Sequence, residues 1–234
     1  GYKALMHTLH SSPETSIREL KESGLLGRGG AAFPTGKKIE TVRANAETKR
    51  YLICNADEGE PGTFKDRFIM THIPFQLLEG ITAAAYLAGA SKGYIYVRHE
   101  YPEAQKILRA AIKTAVEENL LGKNILGSSF SFSLDIFSGA GSYLCGEETA
   151  LLSSIEGKKG RPRLKPPYPT QNGLWNQPTL IHNVETLSNI PKILEHGAAW
   201  YRSIGTKDST GTKLISLSGD VKNRGLFEVP FGVT

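Results

Sequence analysis

Cysteine is nearly absent from this chain of 234 residues: Cys54 and Cys145 are the only two, far apart and in no CxxC spacing. That excludes a disulfide framework and a zinc ribbon, and it fits a reducing compartment such as a bacterial cytoplasm or a mitochondrial matrix. Long apolar runs are lacking too. The longest small-apolar stretch, "ITAAAYLAGA", falls well short of the ~18 residues that a membrane span needs. No basic-then-apolar leader opens the chain, so a soluble protein is expected. Neither sign of charge dominates. Lys and Arg number 28 against 23 Asp and Glu, and the resulting +5 is spread out rather than gathered into a basic arm, which argues against nucleic acid as a partner.

Glycine, by contrast, is abundant, with 25 residues beside 12 prolines, marking many points where the backbone turns or lets something approach closely. With 39% hydrophobic residues and this length, the chain reads as a loop-rich α/β enzyme domain with one sizeable core. "ETSIRELKE" has helical spacing, and "SGLLGRGGAAFPTGKK" then breaks it. "YLIC" reads as a short buried strand. "PFQLLEGITAAAYLAGA" reads as a helix begun by Pro74 and ended near Gly89. "GYIYVR" is β-branched and aromatic, hence a strand, and "EAQKILRAAIKTAVEE" places its apolar residues at i, i+3, i+4 and i+7. "FSLDIF" alternates as a strand should and leads through "SGAGSYLCGEET" into the helix "EETALLSSIEG". A last helix is expected around "NVETLSNIPKILEHG". Strands alternating with helices imply a parallel sheet wrapped by helices, with ligands beyond the carboxyl ends of the strands. Near residue 210 the texture changes, and a domain boundary is expected there.

Four loops stand out. Gly27, Gly29 and Ala32 fit G-x-G-x-x-[GA], but a helix rather than a strand precedes them, so the dinucleotide fingerprint is weak. The loop would still expose the N–H groups of Gly27, Gly29 and Gly30 to an anion or a flat ring, with Arg28 and Lys38 adding positive charge. "NADEGEPGTFKD" sets Asp57, Glu58 and Glu60 within four positions behind a buried strand. Hard-cation binding, ribose recognition and a solvated turn with Asp57 capping a helix are its three readings; ribose recognition fits its position at a strand's carboxyl end, and a cation loses ground because no histidine or further carboxylate cluster lies nearby in sequence. "GAGSYLCGEET" puts Glu147 and Glu148 at a helix start, which the helix dipole alone explains, while its glycines would also admit a planar ring. The loop "GKKGRPRLKPPYP" reads either as a short basic tag or as a positioned supplier of Lys165 and the aromatic face of Tyr168. His182 reads as a local hydrogen bonder ahead of a helix, and no Ser-His-Asp or Cys-His constellation follows from spacing.

In order and spacing, "GRGGAAFPTGKK", "CNADEGEPGTFKDR", "GAGSYLCGEETAL", "RPRLKPPYP" and "HNVETL" resemble the NADH-binding flavoprotein subunit of respiratory complex I. They are similar also to the diaphorase subunits of NAD-reducing hydrogenases and NAD-dependent formate dehydrogenases. The resemblance implies a Rossmann-like parallel sheet flanked by helices that binds FMN and NADH in one cavity. It further implies a following ubiquitin-like (β-grasp) domain and a helical domain holding a 4Fe-4S cluster. On this reading residues 1–36 are an N-terminal helix and glycine-rich loop, 37–208 the FMN/NADH-binding domain and 209–234 the start of the ubiquitin-like domain, with the cluster-bearing part absent. FMN contacts are implied at Gly27, Gly29, Lys38, Asn55, Asp57, Asn183 and Thr186, and NADH contacts at Phe33, Glu60, Tyr143, Gly146, Glu147, Glu148, Lys165 and Tyr168. Arg28, Gly30, Glu58 and His182 complete the candidate cofactor-binding set, His182 standing where members carry asparagine. No metal ligand is assigned.

The reaction implied is hydride transfer from NADH to FMN, with Glu60 and Glu148 as the candidate catalytic residues, Phe33 and Tyr168 sandwiching the adenine, and NADH preferred over NADPH. Electrons would then pass to iron-sulfur partner subunits, through which alone the chain would touch a membrane. A cluster takes about four thiolates, so Cys54 and Cys145 hold none. The other readings are a non-catalytic docking subunit with the same fold and a binding module for another nucleotide.

Overall fold

In the computed structural model, which describes residues 1–233, β1 (Tyr51–Ala56) lies between β2 (Lys92–Val97) and β4 (Thr179–Asn183), and β2 also pairs with β3 (Ser133–Ser138). All four run parallel, in the order β3-β2-β1-β4, as the alternation of strand and helix patterns predicts. β1 has no polar-apolar alternation because both of its faces are covered, the usual condition of a central parallel strand. Leu52, Cys54 and Ala56 enter the larger core, whereas Tyr51 and Ile53 enter a second core on the other face with Tyr96, Leu151, Ile155 and Ile181.

The larger core is built by α1 (Lys3–His10), α2 (Pro13–Glu22), α3 (Thr35–Arg43), α4 (Lys65–His72), α5 (Pro74–Ala88), α6 (Pro102–Glu117), α8 (Val184–His196) and α9 (Ala198–Arg202). α7 (Glu148–Ile155) covers the opposite face. Helices on both sides of a parallel sheet make three layers and an α/β fold.

α5 begins with Pro74 in its first turn and ends at Gly89, whose φ of 72° forms a left-handed cap. Most of its surface is buried, and its small residues let α8 approach closely: a Cβ placed on Gly80 would run into the Leu187 carbonyl oxygen. Because α8 starts at the end of β4, this approach fixes where its first turn stands against the sheet.

The sequence patterns do not reveal α1, α3, α4, α9 or β4. α3 starts inside the glycine- and proline-rich run, and "TLIHN" offers β4 only a brief apolar signal. Parallel pairing with β1 from Tyr51↔Thr179 to Asn55↔Asn183 holds β4 in place. Beyond α9, β5 (Thr212–Leu217) and β6 (Gly225–Pro230) pair antiparallel as a separate two-stranded sheet. This hairpin falls within 209–234, the range expected to start a further domain, and residue 234 lies outside the described residues. No helix among the described residues is long and apolar enough to cross a membrane.

Candidate functional site

A cavity of about 740 Å³ opens where the last residues of β1 and β4 face the glycine loop. Gly27, Gly29 and Phe33 line it from that loop, Lys38 and Thr41 from α3, and Asn55 from β1. Gly146, Glu147 and Glu148 line it at the start of α7, Lys165 and Tyr168 from the proline-rich loop, and His182, Asn183 and Thr186 from the β4–α8 junction. Residues from all five motifs therefore converge on one hollow at the carboxyl end of a parallel sheet, the place where α/β folds bind ligands.

The glycine loop is pinned at its neck, where the Gly27 N–H donates to the Phe33 carbonyl (2.9 Å) and the Thr35 N–H to the Leu25 carbonyl (2.9 Å). Gly29 packs against Asn183 so closely that a Cβ would come within 3.0 Å of that side chain. Gly30 is exposed and is not among the residues lining the cavity, and its φ of 113° favours glycine.

Four charged groups form one chain along the wall. Lys38 Nζ lies 3.2 Å from Glu148 Oε2 and donates to the Ile181 carbonyl at 2.9 Å. Lys165 Nζ stands 3.4 Å from Glu148 Oε1 and 2.9 Å from Glu147 Oε1. The other oxygen of Glu147 caps α7, accepting from the N–H groups of Thr149 (2.8 Å) and Ala150 (2.9 Å). Burial opposes the Glu147 charge, yet donors from Thr149, Lys165 and the Ala150 N–H hold its carboxyl below the usual glutamate range. The helix-start reading of Glu147 and Glu148 and their place on the cavity are thus both met. Aromatic faces complete this wall, Phe33 being 46% and Tyr168 54% exposed.

At the floor, Asn55 donates from Nδ2 to the Gly146 carbonyl (2.9 Å) and accepts the Asp57 N–H at Oδ1 (3.1 Å). Asn183 caps α8 by accepting the Glu185 N–H (3.0 Å) and donates to Asp66 Oδ2 (2.6 Å). His182 is buried, and its Nε2 has no hydrogen-bond partner among the described residues. Burial and then the nearby Lys38 charge push its pKa well below the usual value, so the ring is neutral. It differs in this from the satisfied hydrogen bonder that its place ahead of a helix suggests.

Other candidates stand elsewhere. The guanidinium of Arg28 turns away from the cavity and is spent on buried carbonyls, so the charge expected from it does not reach the glycine loop's open face. Glu58 is 5% exposed and holds the first turn of α4, accepting from the N–H groups of Asp66 (2.9 Å) and Arg67 (3.1 Å) and from the Tyr101 hydroxyl (3.1 Å). The acidic loop does cap a helix, through Glu58 rather than Asp57. Asp57 sits behind Gly146, where a Cβ would meet its carbonyl oxygen at 3.5 Å. Its Oδ2 is buried without a partner among the described residues. Burial pushes its carboxyl up to about 6, with Arg98 pulling down and Glu100 pushing up. Glu60 and Tyr143 pair in the open, Tyr143 hydroxyl to Glu60 Oε2 at 2.8 Å, outside the cavity lining.

Sequence reasoning misses Thr41, Pro169, Thr170 and Gln171 on the wall. Thr41 stands three residues from Lys38, a helical spacing that reading α3 as a helix exposes. It misses also the buried supports behind Asn183, where Lys65 Nζ meets Asp66 Oδ1 at 2.6 Å and Glu185 Oε2 at 3.0 Å. No group of three or more His, Cys, Asp or Glu side chains suited to a metal ion occurs among the described residues.

Comparison with known proteins agrees with this geometry. The chain is 53% identical to a subunit of the NADH-quinone oxidoreductase of Aquifex aeolicus, all of this chain aligning with 55% of that protein. It is 47% identical to the NADP-reducing hydrogenase subunit HndC of Solidesulfovibrio fructosivorans, aligning in full with 48% of it. The chain therefore spans about half the length of these relatives. Among solved structures, an NAD+-reducing NiFe hydrogenase in its H2-reduced state superposes with a TM-score of 0.92 at 45% identity, over 99% of this chain and 39% of that one. The model of the Nuo51 FMN-binding domain matches residues 20–192, from α2 into α8 and across every cavity-lining segment. This chain belongs to the Nuo51 FMN-binding domain family.

Proposed function

We propose that the chain is the FMN- and NADH-binding module of a larger NADH:acceptor oxidoreductase, in which hydride leaves the nicotinamide for the flavin. Bound FMN would supply the hydride acceptor and the change from paired to single electrons, while the protein supplies binding, orientation and electrostatics. The observation that carries the reading is one cavity combining a glycine-lined floor, two half-exposed aromatic faces and a lysine–carboxylate chain.

The residues fit such a ligand pair. Gly27, Gly29 and Gly146 keep side chains off the floor, so a flat ring can lie against backbone. The unpartnered Nε2 of His182 leaves a buried polar atom for which a ligand is the available partner. Lys38 and Lys165 are the wall's cations and suit phosphate oxygens, while Phe33 and Tyr168 offer stacking for an adenine. Held this way, the dinucleotide is brought to reacting distance by orientation, and no general base is required. Glu147 and Glu148 disfavour a further ribose phosphate, which gives preference for NADH over NADPH. Comparable turnover of the two would remove that preference.

Single electrons would leave for iron-sulfur carriers outside the 234 residues, since the two buried cysteines fall short of the about four thiolates a cluster takes. Those carriers belong to a further domain or to partner subunits, and membrane contact comes through the partners, on the cytoplasmic face in a bacterium. The similarity to the hydrogenase structure supports a second parent, an NAD-linked hydrogenase, with the same cavity chemistry. The test is direct. Protein purified with FMN should be yellow, and NADH should bleach its flavin band without any added acceptor. A folded chain that takes up no FMN, or whose bound FMN ignores NADH, overturns the reading.

A further inference from the structure

Arg28, between the lining residues Gly27 and Gly29, divides its donors between two units. Its backbone N–H donates to Thr186 Oγ1 at 2.8 Å, on the cavity wall. Its side chain runs the other way and is 4% exposed with the rest of the residue. Nε donates to the Thr212 carbonyl at 3.2 Å, and Nη2 donates to the Thr210 carbonyl and the Tyr201 hydroxyl at 3.0 Å each. The guanidinium also lies 4.6 Å from the centre of the Phe231 ring, just past β6. A buried guanidinium is tolerable only while its donors are paired. If the hairpin lifts away, Nε loses the Thr212 carbonyl and the guanidinium loses the Phe231 ring, while the Leu26 carbonyl and the Tyr201 hydroxyl remain, so a buried charge is left only partly paired within the glycine loop itself.

Glu185 makes a second, independent link. It follows the lining residue Asn183 by two positions and precedes Thr186. Its Oε1 accepts the Leu214 N–H of β5 at 2.8 Å, while Oε2 pairs with Lys65 at 3.0 Å. Lys65 in turn donates to Asn183 Oδ1 at 3.1 Å. Each link therefore ties a residue of the cavity wall to the start of β5 through a buried charge.

We propose that Arg28 and Glu185 are positioning residues that couple occupancy of the cavity to the seating of the β5–β6 hairpin. A ligand that fixes the glycine loop and the first turn of α8 tightens the hairpin, and by thermodynamic reciprocity a displaced hairpin loosens the ligand. The unit beyond residue 210 thereby senses whether the cofactor is in place. This inference rests on FMN being the ligand of the cavity.

Hydrogen exchange on the full chain, with and without saturating FMN, tests it. The amides of Thr212–Leu217 should exchange about fivefold or more slowly with FMN bound, while those of α6, none of whose residues bonds to Arg28, Glu185 or Lys65, should not change. Arg28→Lys keeps the charge but loses the planar fork. It should weaken FMN about fivefold or more, measured by quenching of flavin fluorescence, and should abolish the FMN-dependent slowing in β5. Glu185→Gln keeps an acceptor for Leu214 and should retain part of that slowing. If FMN binds tightly while β5 exchanges at an unchanged rate in the unaltered chain, the coupling is wrong and the cofactor reading survives. If FMN does not bind at all, both fall. The unaltered protein carries this decision even if a variant fails to fold.

Discussion

Glu148 stands between two ammonium groups, its Oε2 3.2 Å from Lys38 Nζ and its Oε1 3.4 Å from Lys165 Nζ, so the acids at the cavity are charge-balanced before any ligand arrives. A cationic nicotinamide and anionic phosphates would each find an opposite charge there, at the cost of loosening these pairs.

Glu148→Gln removes the middle charge while leaving Lys38 on the Ile181 carbonyl and Lys165 on Glu147. The product NAD+, whose nicotinamide ring is cationic, should then bind up to about fivefold more weakly, the scale of a partly exposed ion pair. Product inhibition of NADH oxidation measures it. Unchanged inhibition together with unchanged turnover would show that Glu148 plays no part in holding the dinucleotide.

Asp57 sets a pH dependence of stability. Its carboxyl in the folded chain titrates at about 6, above the ordinary 3.8. The folded chain therefore holds this proton more tightly than the unfolded one. The stabilising contribution is complete below 3.8 and is lost as pH rises through about 6. Allowing for solvent screening of a partly exposed group, the loss is about 1 kcal/mol, which is about 2–4 °C of Tm for a chain of this size. Asp57→Asn should remove that part of the fall in Tm across this window. A wild-type and variant pair with parallel profiles would refute the assignment.

Glu58, a candidate ligand residue by sequence, should behave as a helix anchor. Glu58→Ala strips the acceptors from the Asp66 and Arg67 N–H groups and should cost about 2 kcal/mol in chemical denaturation. FMN affinity measured on the remaining folded protein should change by less than about twofold, a few tenths of a kcal/mol. A large loss of affinity without a loss of stability would reverse the two roles.

Gly80→Ala tests the approach of α5 to α8. The added methyl would collide with the Leu187 carbonyl, with backbone rather than a movable side chain in the way. Destabilisation of about 1–3 kcal/mol is expected from such overpacking, against the gain of up to about 1 kcal/mol that Gly→Ala gives in an ordinary helix. A Tm that rises would mean that the helices separate freely.

Much of this is legible in the amino-acid sequence. The buried runs of β1 and β2, the helix from Pro74 to Gly89 and the acids opening α7 announce themselves through composition and capping chemistry. The convergence of Lys38, Glu148, Lys165 and Tyr168 came from the resemblance, since separations of a hundred residues carry no local signal. What stayed hidden was direction. Gly27 and Arg28 are neighbours, yet one faces the cavity and the other is buried behind it, because the loop turns between them and carbonyls of residues 210 and 212 wait on the far side. Glu58 likewise takes the helix-capping place that was open to Asp57, for the backbone turn decides which carboxyl reaches the amides of α4.

β4 is the outermost strand of its sheet, and an outer strand offers unpaired carbonyls to any extended chain that drifts past. Lys38 donates to one of these, the carbonyl of Ile181, from a helix laid alongside. The same ammonium that lines the cavity thus also blocks the rim against intermolecular strand addition, so a lysine-to-apolar exchange there would trade away solubility as well as the cavity's charge.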